Sequence, residues 1–189
     1  MERIREFNNP PVPHVCNMID YFLQDNTYYI VMEYCSGGEL FDKIIEKKTF
    51  NEIEAALLIK DIIEAVCALH KVGIVHRDMK PQNILLVSNA SLSNIWDYYK
   101  VKIIDFGLAK IIDEMDSKRV QVGTTSYIAP EVFAEQLYTP ACDVWSCGVI
   151  LYILLAGYSP FHSSTPEKTE SKIREGVYIY YYYYLFFYY

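Results

Sequence analysis

His76-Arg77-Asp78-Met79-Lys80-Pro81-Gln82-Asn83 gathers a carboxylate, an ammonium and an amide into one short run, just ahead of an apolar stretch. Two further segments stand downstream of it. One is Asp105-Phe106-Gly107, and the other is Ala129-Pro130-Glu131, preceded by Gly123-Thr124. Alone, Asp-Phe-Gly reads as a turn and His-Arg-Asp as a surface triplet. All three in this order, each with its flanking residues, read as the parts of one site. Short strands are expected at Ile84–Val87 and Val101–Ile104, on either side of a polar insertion, Ser88–Lys100.

Working outward, Asn51 is a good N-cap for a helix. Apolar residues at Ile59, Ile62, Ile63, Val66 and Leu69 keep its 3.6-residue period up to His70. Upstream, strands are expected around Val15–Phe22 and Tyr28–Tyr34, with Gln24, Asp25 and Asn26 supplying the turn. A short helix is expected at Glu39–Lys47, after the break at Ser36-Gly37-Gly38. The Pro-rich start, Asn8 to Pro13, ends any helix begun at Glu2 by Phe7. A buried apolar helix is expected around 143–157, beyond a mixed-charge loop at Asp113–Arg119. Val177–Tyr189 is wholly aromatic or aliphatic and holds eight of the 18 tyrosines. No amphipathic period fits it, so it reads as an aberrant C-terminus.

Composition sets the bounds. With 52% hydrophobic and 22% charged residues, the chain has the material for a packed core. A net charge of -7 argues against general nucleic-acid binding through phosphate neutralisation. Five cysteines, with no CxxC pair, suit a reduced compartment and not a disulfide or zinc framework. The N-terminus lacks the apolar core of a signal peptide, and the run Val144–Ala156 is too short to span a bilayer. A cytoplasmic protein is expected. Asn89-Ala90-Ser91 matches a glycosylation acceptor, which in that setting reads as chance.

The three motifs together resemble the eukaryotic protein kinase superfamily, from roughly Val12 to Gly176. The resemblance implies an α+β, protein-kinase-like fold with a mainly helical C-lobe and remnant N-lobe strands. Residues 1–34 would be the remnant of the N-lobe and hinge, 35–176 a partial C-lobe, and 177–189 the Tyr-rich tail. Phosphoryl transfer needs a carboxylate to orient the attacking hydroxyl, hard oxygen ligands for Mg²⁺, and a cation on the transferred group. By resemblance Asp78 is the catalytic base, Lys80 steadies the γ-phosphate, and Asn83 and Asp105 ligate Mg²⁺. Thr124 stands near Asp78 and Lys80 as a structural hydroxyl. Asp143 resembles the carboxylate that anchors the catalytic loop; by itself it would suit a helix N-terminus.

Val31-Met32-Glu33-Tyr34-Cys35 resembles the hinge. There Met32 is the gatekeeper, the Glu33 carbonyl and the Cys35 amide face the adenine of ATP, and Leu85 forms the pocket floor. Met32 and Leu85 also suit plain core packing, and the two roles are compatible. Lys80, two residues after Asp78, resembles Ser/Thr kinases. Gly37-Gly38-Glu39-Leu40-Phe41-Asp42, Ile103–Leu108 and Asp143–Pro160 resemble the calcium/calmodulin-regulated branch, and within it the calcium-dependent protein kinases. Glu39 matches the acidic position that reads ribose and a basic substrate residue upstream of the Ser/Thr acceptor; alone it is a solvated first-turn carboxylate. Gln82 replaces a commonly acidic neighbour, which would weaken a basic preference.

The resemblance has gaps. The first glycine is Gly37 and the first lysine Lys43, both past the hinge, so these residues hold neither a Gly-rich phosphate loop nor the strand lysine. The Arg that pairs with the Ala-Pro-Glu carboxylate is also missing, leaving Glu131 without its usual partner. Val120 stands where many kinases carry an activating phospho-residue, so Arg77 would pair elsewhere, with Asp116 or with nothing. No D-x-[DN]-x-[DN]-G calcium loop occurs. The expected parent activity is transfer of the ATP γ-phosphate to a protein Ser/Thr hydroxyl. The rival is a catalytically silent kinase fragment acting as a binding or scaffolding module. A membrane-surface role for the tail is a third idea, weakened by the lack of a basic face.

Overall fold

Asn51 opens the longest helix with a reciprocal cap. Its side chain accepts the Glu54 N–H at 3.0 Å, and the Glu54 carboxylate accepts the Asn51 N–H at 3.0 Å. The computed structural model describes residues 11–88, 99–112, 123–134 and 139–179. In chain order the strands are β1 (Met18–Gln24), β2 (Thr27–Met32), β3 (Ile74–Val75), β4 (Ile84–Leu86), β5 (Val101–Ile103) and β6 (Lys110–Ile111). The helices are α1 (Leu40–Lys47), α2 (Glu52–Lys71), α3 (Pro130–Phe133), α4 (Ala141–Ala156) and α5 (Pro166–Glu175). Antiparallel pairs β1–β2, β3–β6 and β4–β5 make three two-stranded sheets, so the architecture is the expected α+β.

The core lies where α2 packs on α4 and on β5. Leu58, Ile62, Ala65 and Leu69 of α2 are buried, together with Cys147, Ile150 and Leu154 of α4. This stripe is turned slightly from the expected one: Ile63 is exposed and Leu58 takes the inner place. Both sets fit a 3.6-residue period, and only the tertiary partner selects between them.

β1 begins later than the alternating pattern suggested. Val15 and Cys16 belong instead to a parallel bridge with β5, in which Cys16 N–H donates to Ile103 O at 2.9 Å and Ile103 N–H to His14 O at 2.8 Å. The hairpin loop is Asp25-Asn26, with φ of 48° and 62°. A two-residue hairpin loop needs this left-handed backbone, and Asp and Asn tolerate it. Phe22 stacks on Tyr29 with ring centroids 5.0 Å apart. Leu23, Tyr28, Ile30, Val31 and Met32 are exposed on the same hairpin.

α5 was not expected, although its ends carry ordinary signals. Thr165 accepts the Lys168 N–H at 3.4 Å, Pro166 occupies the first turn, and Gly176 closes the helix with φ 68°. Its polar sequence buries only Ile173 and Thr169, so no apolar period announced it. The start of the Tyr-rich tail is docked and not loose. Val177 N–H reaches Lys172 O and Ile179 N–H reaches Pro160 O, each at 2.9 Å, while Tyr152 Oη donates to Ile179 O. Residues 2–7, where any helix begun at Glu2 would lie, Asn89, Asp113–Arg119 and residues 180–189 lie outside the described residues.

Tyr99, at the end of the polar insertion, is tied down by a buried polar knot. It donates to Glu54 at 2.8 Å, and the Lys47 ammonium pairs with the same carboxylate. Burial alone would push the Glu54 carboxyl up, but Lys47, Tyr99 and the Asn51 N–H outweigh it and hold the group below the ordinary glutamate value. A depressed carboxylate contributes stability that is complete above its unfolded pKa and is lost as pH falls through its folded one. Glu54→Gln should therefore flatten the acid limb of a pH–stability profile followed by thermal melting. Asn51→Ala should cost about 1 kcal/mol at neutral pH in urea unfolding.

Candidate active site

The site is assembled around Asp143, in the first turn of α4 and only 1% exposed. Its carboxylate accepts the backbone N–H groups of His76 and Arg77, both at 2.9 Å, and meets His70 Nε2 at 2.8 Å. A helix start, the end of α2 and the loop after β3 are thereby joined at one charge. Arg77 sits there with φ 67°, a conformation non-glycine residues adopt at some cost. Its Nε donates to Leu108 O at 2.6 Å. Asp116 and Val120 lie outside the described residues, so the expected Arg77–Asp116 pairing is not addressed.

Asp78 follows, buried at 8% exposure and oriented on both oxygens. Oδ2 takes Lys80 Nζ at 2.7 Å and Asn83 Nδ2 at 3.2 Å. Oδ1 takes the Thr124 N–H at 3.2 Å and lies 3.4 Å from Thr124 Oγ1, which in turn accepts Lys80 Nζ at 3.2 Å. Four of the predicted residues thus form one hydrogen-bonded cluster. Gly123 admits this approach: at φ 103° a Cβ would stand 2.9 Å from Arg77 O.

Asp105 is brought alongside through the backbone. Ile104 N–H donates to Asn83 O at 2.9 Å, and Asp105 itself has φ 63° and an exposed carboxylate. His76 governs this neighbourhood, a role its place in the sequence did not disclose. It is completely buried, with Nε2 3.1 Å from Ile104 O and Nδ1 3.3 Å from the Asp78 N–H. One nitrogen must donate and the other accept, which suits a neutral ring, and burial does hold its pKa below the usual value. Phe106 meets the ring edge-on at 5.1 Å.

The hinge residues divide. Gly37 N–H donates to Leu86 O at 3.0 Å and Leu86 N–H to Gly38 O at 2.9 Å, which sets Glu39 opposite Leu85. A side chain at Gly37 would collide with Leu86, at 2.5 Å from its Cβ. Cys35 is buried, and its N–H donates to no backbone carbonyl among the described residues. The Glu33 carbonyl faces the Cys16 thiol at 3.6 Å, while its carboxylate takes the Asn17 N–H at 2.6 Å and pairs with Lys102. Met32 is not packed as a core residue: it is 45% exposed. The β1–β2 sheet has no third strand among the described residues, and nothing there covers it. Glu131 is half-buried and unpaired among the described residues, so it escapes the full cost of an isolated buried charge.

A family model for the protein kinase domain matches residues 2–184. The chain belongs to the protein kinase family. It is 41% identical over 167 residues to calcium-dependent protein kinase 4 of Plasmodium berghei (strain Anka), covering 88% of this chain and 30% of the relative. Against calcium-dependent protein kinase 4 of Plasmodium falciparum (isolate 3D7) it is 42% identical over 167 residues, with the same coverage. The chain thus spans under a third of the length of these curated relatives. Its α+β architecture is that of a protein kinase domain with a mainly helical C-lobe. No helix among the described residues is long and apolar enough to cross a membrane.

Asp143→Ala should leave two buried N–H donors and His70 without their acceptor. The expected loss is about 3 kcal/mol or more in denaturant unfolding, since each lost charged acceptor costs about 1.5–3 kcal/mol.

Proposed function

We propose that this chain is the hinge and C-lobe part of a Ser/Thr protein kinase that transfers the γ-phosphate of ATP to a protein hydroxyl. Its parts would be an N-lobe and hinge remnant to residue 34, a C-lobe over 35–176 and the Tyr-rich tail beyond. The observation that carries the reading is the cluster in which Asp78, Lys80, Asn83 and Thr124 are mutually hydrogen-bonded, with Asp105 joined to Asn83 through Ile104.

The Asp78 carboxylate would orient the acceptor hydroxyl and take its proton. Beside it lies a recess lined also by Arg77, Thr124, Tyr127 and Ser146, where a substrate side chain would enter. Lys80, already beside Asp78, would carry positive charge to the transferred group. The donor set fits Mg²⁺. Asn83 spends its amide N–H on Asp78, which leaves the amide carbonyl as an oxygen donor, and exposed Asp105 adds a carboxylate. Bound Mg²⁺ would neutralise phosphate charge in this reaction. The unspent Cys35 N–H and the Glu33 carbonyl would meet adenine, with Met32 as gatekeeper, Leu85 below and Glu39 toward the ribose.

The wording of the motifs and the two relatives favour the calcium-dependent branch of Ser/Thr kinases. Glu39 would then favour a basic residue upstream of the acceptor, and the neutral Gln82 would weaken that preference. A cytoplasmic location accords with five free thiols. Calcium dependence would have to come from outside these 189 residues, which carry no calcium-loop pattern.

The test is phosphorylation of a basic Ser peptide by the purified chain with Mg·ATP. Asp78→Asn should lower turnover by roughly 10²–10⁴-fold, the range of a general base. Asp105→Asn should abolish the Mg²⁺-dependent part of ATP-induced thermal stabilisation. ATP-dependent stabilisation with no turnover in the unmodified chain would instead establish a silent binding fragment.

A further inference from the structure

At the middle of α2, three side chains converge that the phosphotransfer reading does not use. His14 Nδ1 lies 3.3 Å from Asp61 Oδ2, and His14 Nε2 lies 3.2 Å from Glu64 Oε2. Asp61 and Glu64 are three residues apart on α2 and therefore share a face. One donor atom from each of the three residues falls within 4.8 Å of the others.

The hydrogen-bond arithmetic at this ring is unusual. A neutral imidazole has one N–H and one lone pair, yet each ring nitrogen faces a carboxylate oxygen. Asp61 is the more buried partner, with its side chain 12% exposed, and its Oδ2 also takes the Val101 N–H at 3.4 Å. Nδ1–H is naturally donated there. The Nε2 lone pair then points at an anionic oxygen of Glu64, which is repulsive unless a cation stands between them. The other cation paired with Glu64 among the described residues is Lys60, 3.5 Å from the opposite oxygen, Oε1.

The distance also suits a metal. A zinc-class ion about 2.0–2.1 Å from both Nε2 and Oε2 subtends an angle of roughly 105° across their 3.2 Å separation, close to tetrahedral. A carboxylate holding the far nitrogen of a ligating histidine is the usual support for such a ligand. His14 is presented rigidly, because its carbonyl accepts the Ile103 N–H at 2.8 Å and Val15 is bridged to β5.

We propose that His14 Nε2 and Glu64 Oε2 bind one transition-metal dication of the zinc class, with Asp61 orienting the imidazole through Nδ1–H and water filling the remaining positions. Occupation would fasten the segment ahead of the hinge strands onto α2. The site lies apart from Asn83 and Asp105, and its nitrogen donor distinguishes it from an all-oxygen magnesium site.

The test is calorimetric titration of the full chain with Zn²⁺, paired with Co²⁺ absorption spectroscopy. Expected are one saturable site per chain and a Co²⁺ spectrum of nitrogen and oxygen ligation. Glu64→Gln, at a half-exposed position that should not disturb folding, should weaken binding at least tenfold, as should His14→Asn. Asp61→Asn should weaken it about 10–100-fold, the usual effect of losing a ligand's support. Unchanged affinity in Glu64→Gln, a thiolate-to-cobalt band, or no saturable binding would each overturn the proposal, the last leaving a proton as the cation between ring and carboxylate.

Discussion

One buried carboxylate holds the catalytic loop in a shape it would not otherwise keep. Arg77 adopts a left-handed backbone, which costs roughly 1–2 kcal/mol for a residue with a side chain. Asp143 offsets this with two backbone donors at 2.9 Å, each worth about 1.5–3 kcal/mol as hydrogen bonds to a charge. The anchor is rigid because it stands on α4, whose apolar side packs against α2. The order of dependence runs from helix packing, to the Asp143 contacts, to the loop backbone, to the direction of Asp78.

The cluster at Asp78 was legible through the resemblance, whose motifs are a few residue types at short spacing. Asp78, Lys80 and Asn83 lie within one loop, and that loop alone brings them together. Asp143 was legible only through the resemblance: a carboxylate in the first turn of an apolar helix by itself reads as a dipole partner, and its own partners lie 66 and 67 residues away. The role of His76 was not legible. Nothing local says that its two nitrogens will divide between Ile104 O and the Asp78 N–H, because both partners are backbone atoms placed by the fold. The same applies to the Glu54–Tyr99–Lys47 knot and to the bridge that takes Val15 and Cys16 away from the first hairpin strand. The helix at Pro166–Glu175 shows a different failure: its caps were readable, but its polar face hid it from a search for apolar periodicity.

Burial is unequal along the chain, and this shapes the segment ahead of α1. A two-stranded hairpin is marginal in water by itself, and β1–β2 leaves Tyr28, Ile30, Val31 and Met32 exposed. It is fastened at its base and not across its faces. Glu33 N–H donates to Asn17 O at 3.0 Å, the Glu33 carboxylate takes Lys102 of β5, and the segment before β1 is bridged to Ile103. Residues 33–39 are therefore registered on the β4–β5 pair, next to Leu85, while the strand carrying Met32 gets no such support among the described residues. Local order around Cys35 and Glu39 does not depend on the hairpin tip.

The asparagine at position 83 follows from the same geometry. Its Nδ2 lies 2.9 Å from Asp78 O and 3.2 Å from Asp78 Oδ2, and both are acceptors. Only the amide nitrogen can occupy that place, so the side-chain carbonyl must face the other way. An aspartate here would set a second carboxylate against Asp78 Oδ2 and its carbonyl, with no donor between them. The amide thus combines what a carboxylate cannot: it donates to Asp78 and keeps an oxygen on its far side. Ile104 N–H, bonded to the backbone carbonyl of this residue at 2.9 Å, ties the adjoining Asp105 to it.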